Sequence, residues 1–165
     1  MSGKILVFTG DGKGKTSAAI GTAIRAIGYG KKAIMIQFLK KGEYGEIKFK
    51  NENFEIHQFG REEFVIHPKK IDYELAAKAI KFANEALQKK PFLLILDEIN
   101  VALSMGLIDL KDVMSLLEKR GETHVILTGR NASREIIEIA DLVTEMKKVK
   151  HYYDEGVKAI EGLEY

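Results

Sequence analysis

The sequence predicts an α/β fold of three layers, in which helices cover both faces of a mostly parallel sheet. Short apolar runs alternate with amphipathic helical patterns along the whole chain. Strands buried on both faces and separated by helices are typical of parallel sheets, because each helix carries the chain back across the sheet. A chain of 165 residues has the size of one domain, and we expect residues 1–165 to form a single nucleotide-binding domain.

Each element follows from its own pattern of apolar residues. Residues 72–87, for example, repeat apolar side chains at helical spacing with Lys and Glu opposite, whereas residues 92–96 are an uninterrupted apolar run. By the same criteria, strands are predicted at residues 5–8, 33–39, 54–59, 92–96, 125–127 and 142–149. Helices are predicted at residues 15–28, 72–87, 110–119 and 133–140, the last capped by Ser133, and residues 40–53 are the longest turn-like region.

Composition excludes several classes of protein. The chain has no Cys, so disulfides and thiolate metal sites are excluded. Its net charge of +2 does not indicate a nucleic-acid-binding protein, and a basic run at Lys147, Lys148 and Lys150 is interpreted as a solvated strand edge. No apolar run approaches the roughly 20 residues of a membrane span, and no signal peptide fits before residue 5. We therefore expect a cytoplasmic protein.

A phosphate-binding loop is predicted where the first strand meets the first helix. Glycines let successive backbone N–H groups curve around an anion, a Lys reaches the phosphates, and a hydroxyl binds Mg²⁺. The usual first Gly of the pattern is Thr9 here, and the alternative is a Gly- and Lys-rich turn without a ligand. The candidate phosphate-binding residues are Gly10, Asp11, Gly12, Lys13, Gly14, Lys15, Thr16 and Ser17. This loop makes the predicted fold that of a P-loop NTPase domain of RecA-like topology.

A metal site is predicted at the end of the fourth strand, where Asp97 and Glu98 follow an apolar run. Paired carboxylates at this place in a P-loop protein hold Mg²⁺ opposite the hydroxyl of the loop. Alone the pattern is weak, since many strands end in an acid. We expect Thr16 and Glu98 to be metal ligands and Asp97 to orient them.

Two arginines are further candidates. Arg130 closes the fifth strand and should enter the same cleft, where its guanidinium could pair with phosphates; the alternative is a surface Arg. Arg25 lies ten residues after Lys15 on the first helix, and an ion pair on the helix surface is an equal alternative. Lys15, Glu98 and Arg130 are thus the candidate catalytic residues.

Beyond these motifs, the chain resembles the P-loop type of ATP:corrinoid adenosyltransferase over nearly its full length. Its opening block, from Gly10-Asp-Gly-Lys-Gly-Lys-Thr16 through Gly28-Tyr-Gly30-Lys-Lys32, is similar to that family, as is Gln37-Phe-Leu-Lys40. The closing block is more specific. It comprises Thr128-Gly-Arg130, Glu138-Ile-Ala-Asp-Leu-Val-Thr-Glu-Met146, Val149-Lys-His151 and Gly156-Val-Lys-Ala159.

The resemblance implies a reaction in which the Co(I) of a corrinoid (cobalamin or a precursor) attacks C5′ of ATP and releases triphosphate. It implies Mg²⁺ as cofactor, ATP and the corrinoid as substrates, a reductase supplying Co(I), and a homodimer. Phosphate binding is carried over to residues 10–17, Mg²⁺ binding to Thr16 and Glu98, a phosphate or ribose role to Arg130, and a cleft role to Arg25.

The corrinoid side differs from the family pattern. Relatives usually have a Gly-Phe-Thr-Trp segment, whereas residues 59–66 read Phe-Gly-Arg-Glu-Glu-Phe-Val-Ile and the chain has no Trp. Phe64 is expected to replace the family's Phe, the alternative being an ordinary core or loop aromatic. Relatives also often carry an N-terminal extension over the site, whereas the first predicted strand here begins at residue 5.

Two other functions remain open at this point. A RecA-like ATPase or phosphotransferase would release ADP and phosphate rather than triphosphate. A non-catalytic module would bind ATP or a corrinoid without turnover.

Overall fold

Six strands form one sheet in the computed structural model, which describes residues 2–165. They are β1 (Ile5–Thr9), β2 (Ala33–Phe38), β3 (Phe54–Phe59), β4 (Leu93–Asp97), β5 (His124–Thr128) and β6 (Leu142–Glu145). Their order is β3-β2-β4-β5-β1-β6, and every pairing between neighbouring strands is parallel. All six strands therefore end at the same edge of the sheet.

Helices connect the strands and cover both faces. They are α1 (Lys15–Gly28), α2 (Gly45–Lys48), α3 (Lys70–Gln88), α4 (Ile99–Ser104), α5 (Leu110–Glu118) and α6 (Arg134–Ile139), followed by a 3₁₀ turn at Tyr152–Glu155. On one face, Ala79 of α3 and Val113 of α5 belong to the same buried cluster as Ile36 of β2. On the other, Ala19 of α1 packs with Met35 of β2. The predicted three-layer α/β fold is confirmed.

Local packing explains why small residues line these helices. α3 places Ala76, Ala79, Ala83 and Ala86 in the core, so the helix can approach the strands closely. α6 begins as the sequence predicts, because the Ser133 hydroxyl oxygen accepts a 3.3 Å hydrogen bond from the Ile136 N–H.

The carboxyl-terminal part departs from the sequence prediction. β6 ends at Glu145 rather than at residue 149, because the next residues turn onto the loop that follows β1. Met146 N–H donates to Thr9 O at 2.8 Å, and Met146 O accepts from Gly12 N–H at 2.6 Å. The basic run therefore lies beyond the strand, and its interpretation as a strand edge is wrong: Lys148 pairs with Asp154 at 2.8 Å.

Three short elements were not predicted: α2, α4 and the 3₁₀ turn. Each is only four to six residues long, too short for a helical period to show in the sequence. Within residues 2–165, no helix is long and apolar enough to cross a membrane.

Candidate phosphate and metal site

The loop between β1 and α1 presents the uncapped amino end of a helix. Gly14 is the N-cap residue, with φ of 116°, a conformation that favours glycine. Within the part of the chain that the structure describes, no side chain caps α1 and no acidic residue lies in its first turn. The first N–H groups and the positive end of the helix dipole are thus available to an anion.

Gly10 and Gly12 are required by the packing of the loop on residues 146 and 147. A Cβ on Gly12 would lie 2.7 Å from Met146 O, and one on Gly10 would collide with the same carbonyl. Lys148 N–H also donates to Asp11 Oδ1 at 3.0 Å, and this hydrogen bond is the main reason that the pKa of Asp11 is lowered. The segment after β6 therefore packs against the loop and holds its backbone in place.

Lys15 is directed inward at the start of α1. Its side chain is buried, and its Nζ donates to Gly12 O at 2.6 Å, within its own loop. Burial lowers the pKa of Lys15, while the charge of Glu98 opposes that change. A buried ammonium whose hydrogen-bond partner is a neutral carbonyl is well placed to exchange it for a phosphate oxygen.

Asp97 organises the carboxyl end of β4. Its carboxylate is fully buried, and its Oδ1 accepts hydrogen bonds from the Thr16 hydroxyl at 2.8 Å and the Thr128 hydroxyl at 2.6 Å. Its Oδ2 lies 2.9 Å from Lys40 Nζ and 3.4 Å from Gln37 Nε2. The three strands that meet here, β2, β4 and β5, are adjacent in the sheet.

Glu98 follows in a left-handed conformation, with φ of 63°, which is uncommon for a residue other than glycine. Its N–H donates to Thr128 Oγ1 at 3.0 Å, which holds the strained backbone in place. Burial, and then the neighbouring charge of Asp97, raise the pKa of Glu98. Such strain at a site is typical of functional residues.

The oxygen donors at this point fit Mg²⁺. Thr16 contributes a hydroxyl, and Asp97 and Glu98 contribute carboxylates, the ligand types that Mg²⁺ prefers. The Lys40 ammonium, 2.9 Å from Asp97 Oδ2 and 3.4 Å from Thr16 Oγ1, is a cation between two of these residues. Residues 2–165 hold no cluster of three or more acidic or imidazole side chains suited to a metal, so water and phosphate oxygens would complete the coordination.

Lys40 and Thr128 are site residues to which no role was assigned from the sequence. Both lie at the carboxyl end of a strand that neighbours β4 in the sheet. A polar residue at such a strand end is the sequence feature that indicates a place in the site. Burial opposes the charge on Lys40, but Asp97 and Glu98 outweigh it, and the pKa of Lys40 is raised.

Of the two candidate arginines, the structure brings only Arg130 to the site. Arg130 is exposed after Gly129, and its charge acts on Asp11, Lys15 and Glu98; it forms no ion pair within residues 2–165. Arg25 is exposed in the last turn of α1, about 15 Å along the helix from Lys15. Within one chain, a shared cleft for Arg25 and the loop is not observed.

The remaining candidates in the loop differ in their surroundings. Ser17 is exposed in the first turn of α1. Lys13 points away, because its Nζ donates to Leu163 O at 2.6 Å and lies 3.0 Å from Glu164 Oε1. Only the backbone of Lys13 is left to face a phosphate.

Phe64 lies in the segment between β3 and α3, at the edge of the sheet where the strands end, and is 91% exposed. It is therefore a loop aromatic and not part of the core. Arg61 anchors this segment through hydrogen bonds of 2.7 and 3.2 Å to Asp72. Phe64 and Ile66 are thus two exposed apolar side chains in a loop that also exposes Glu62 and Glu63.

Comparisons with known proteins agree along the entire chain. The family described as "ATP:corrinoid adenosyltransferase BtuR/CobO/CobP" matches residues 1–165. A "Corrinoid adenosyltransferase" of Sinorhizobium sp is 40% identical, over 99% of this chain and 80% of that protein. "Corrinoid adenosyltransferase CobA" of Salmonella typhimurium is 37% identical, over 99% of this chain and 86% of the relative. A "Corrinoid adenosyltransferase" of Pseudomonas aeruginosa is 38% identical, over 99% and 84%.

Proposed function

The chain belongs to the ATP:corrinoid adenosyltransferase family, and on that basis we propose that it transfers the 5′-deoxyadenosyl group of ATP to the Co(I) centre of a corrinoid. A Co–C bond forms to C5′, the bond between C5′ and its oxygen breaks, and triphosphate leaves with that electron pair. The observation that carries the proposal is this membership over the whole chain, together with Lys15, Thr16, Asp97, Glu98 and Arg130 meeting at one edge of the sheet.

The protein's contribution is to stabilise the departing triphosphate. The open amino end of α1 supplies backbone N–H groups, and Lys15 and Arg130 supply positive charge. Groups that meet the growing negative charge in the transition state accelerate the reaction more than groups that bind only the substrate. A general base from the protein is not needed, because the substrate cobalt is itself the nucleophile.

We include Mg²⁺ in the proposal, held by Thr16 and Glu98 with Asp97 accepting the Thr16 hydrogen bond. When bound, Mg²⁺ would neutralise charge on the triphosphate. Asp97 and Thr128 act as positioning residues for these ligands.

The corrinoid, its supply and the assembly complete the proposal. A large, partly apolar macrocycle matches the loop that carries Phe64, which lies at the same edge of the sheet as the phosphate site. Because Co(I) is readily oxidised, we propose that a reductase reduces the corrinoid's cobalt to Co(I) immediately before transfer. We also propose that the protein is cytoplasmic and forms a homodimer. Light scattering on the purified protein would test the dimer.

The decisive experiment is anaerobic incubation with ATP, Mg²⁺ and chemically reduced cobalamin. We expect loss of the Co(I) absorbance band with formation of adenosylcobalamin and one intact triphosphate per turnover. Omitting Mg²⁺ should suppress the reaction.

The two alternative functions predict different outcomes in this incubation. ADP and phosphate would contradict the proposal and indicate a P-loop ATPase or phosphotransferase. Binding of both ATP and cobalamin without any product would indicate a non-catalytic module.

A Phe64→Ala variant should lose corrinoid turnover while ATP binding, measured by calorimetry, stays unchanged.

A further inference from the structure

Lys40 is held in place by an unusual piece of backbone at the end of β2. Leu39 before it has φ of 61°, a conformation that is strained for a bulky residue. Gly60 allows the turn, since a Cβ there would collide with the backbone of Leu39 and Lys40. Leu39 N–H also donates to Phe59 O at 3.1 Å. Packing of the segment after β3 therefore imposes a strained backbone that directs one lysine toward the site.

The side chain of Lys40 is only 20% exposed and reaches Thr16, a predicted metal ligand, and Asp97, which positions that ligand. Its Nζ lies 2.9 Å from Asp97 Oδ2 and 3.4 Å from Thr16 Oγ1. Glu98 also attracts this ammonium. Its neighbour Lys41 is exposed. One of two adjacent lysines is thus placed among the oxygens that would bind a divalent cation.

An ammonium and a divalent cation cannot share these oxygens. Both would lie beside Thr16 and Glu98, and two cations only a few ångströms apart in this half-buried site repel each other strongly. Metal binding must therefore displace the Lys40 ammonium. A displaced ammonium on this flexible, partly exposed stem keeps a strong electrostatic partner only if it reaches a new anion.

We propose that Lys40 is a substrate-binding residue that exchanges partners: its ammonium occupies the metal site in the nucleotide-free protein and moves to the triphosphate when the metal binds. The triphosphate is the natural acceptor, since its oxygens would share the metal with Thr16. Lys40 then joins Lys15 and Arg130 in neutralising the leaving group. This inference rests on the proposed function for its consequence, because there the whole triphosphate is the leaving group that these cations neutralise.

The first test measures metal binding without nucleotide or corrinoid. Titration with Mn²⁺ alone, followed by the electron paramagnetic resonance of free Mn²⁺, compares the unmutated protein with Lys40→Gln and with Lys41→Gln as matched control. Removal of the competing charge should tighten Mn²⁺ binding by about tenfold in Lys40→Gln. Lys41→Gln should bind Mn²⁺ as the unmutated protein does.

The second test uses inorganic triphosphate with Mg²⁺, measured by calorimetry. Here Lys40→Gln should bind about tenfold more weakly, because one charge-assisted contact is lost. Lys40→Arg should restore both affinities toward those of the unmutated protein, since it keeps the charge. A purely structural role for Lys40 predicts that both ligands bind more weakly, or that neither changes, and either outcome overturns the proposal.

Gln retains a hydrogen-bond donor for Asp97, so we expect Lys40→Gln to fold. Lys40→Met is a second variant, and it should likewise bind Mn²⁺ more tightly and triphosphate more weakly. Neither measurement involves cobalt chemistry. Opposite shifts without adenosyl transfer would therefore leave the exchange of Lys40 standing and contradict the proposed reaction alone.

Discussion

The carboxylate of Asp97 is fully buried, yet four side chains donate hydrogen bonds to it: Thr16, Thr128, Gln37 and Lys40. A buried charge is tolerated when donors of this kind surround it. Asp97, Thr16 and Thr128 are therefore held in place before any ligand arrives, which limits the ordering cost of binding ATP.

At the same scale, Lys15 should carry much of the affinity for ATP. Lys15→Ala removes a buried cation near the open helix end, and we expect ATP binding to weaken by at least about tenfold in calorimetry. Lys32→Ala is the matched control, because Lys32 is exposed just before β2, at the opposite edge of the sheet. Equal affinities in the two variants would remove Lys15 from the phosphate site.

Glu98 makes stability depend on pH. Burial, followed by the charge of Asp97, raises its pKa above the ordinary 4.5. The folded protein thus holds this proton more tightly than the unfolded chain, so the stabilising contribution is complete below pH 4.5 and is lost as pH rises through the folded pKa. Glu98→Gln abolishes that loss.

We therefore expect Glu98→Gln to melt a few degrees higher than the unmutated protein at pH 7, given roughly 2–4 °C per kcal/mol in a domain of this size. The difference should disappear below pH 4.5. Thermal melts across this pH range provide the measurement. Glu118→Gln, on the exposed end of α5, should show no such trend, and an identical trend in both variants would contradict the role of burial at Glu98.

At the scale of elements, the phosphate-binding loop depends on the residues after β6. Gly12 N–H donates to Met146 O at 2.6 Å, and β6 itself pairs with β1 in parallel. One side of the loop thus packs against the backbone after β6, and the other side is left for the phosphates. This packing is a physical reason for glycine at residues 10 and 12 that is independent of phosphate binding.

A pair of Gly→Ala substitutions tests this packing. Gly12→Ala places a Cβ 2.7 Å from Met146 O and should destabilise the protein by about 1–3 kcal/mol, with weaker ATP binding. Gly21→Ala, on the exposed side of α1 where a Cβ meets nothing within 4 Å, should stabilise by about 0.5–1 kcal/mol. Denaturant unfolding measures both, and a stabilised Gly12→Ala protein would refute the packing argument.

At the level of the whole molecule, the carboxyl-terminal segment packs against the loop that follows β1. Lys13 donates to Leu163 O and pairs with Glu164, and Glu164 in turn accepts hydrogen bonds from the Tyr152 hydroxyl and from Ile160 N–H. The Tyr152 hydrogen bond is the largest cause that lowers the pKa of Glu164 to about 2. Glu164 thus joins the carboxyl-terminal segment to the nucleotide loop.

Glu164→Gln should loosen this segment without unfolding the sheet. We expect faster hydrogen exchange at residues 152–165 and unchanged exchange in β1, β2, β4 and β5. Glu161→Gln, exposed in the same segment, is the control. In the unmutated protein the attachment should weaken as pH falls from 4.5 toward about 2, where Glu164 becomes protonated. Unchanged exchange in Glu164→Gln would show that other contacts hold the segment.

Local pattern was sufficient for most of the fold. Local patterns predicted all six strands, although β6 ends at Glu145 and not at residue 149. Helical spacing predicted α1, α3 and α5, and Ser133 the start of α6, because each signal lies within a few neighbouring residues. The phosphate-binding loop and the acidic pair after β4 were recognisable for the same reason. Since strand ends meet at one edge of a parallel sheet, their convergence could also be predicted.

Contacts between residues far apart in the chain depend on the order of the strands. Lys40 reaches Asp97 because β2 lies beside β4, and Gly12 meets Met146 because β6 lies beside β1. The same order placed Arg130 in the site, while the length of α1 kept Arg25 away from the loop. These contacts join residues up to about 130 positions apart, and strand order follows from how the whole core packs. Local sequence patterns were thus enough to predict most of the elements and the class of reaction, while packing of the complete sheet set the partners of each charge.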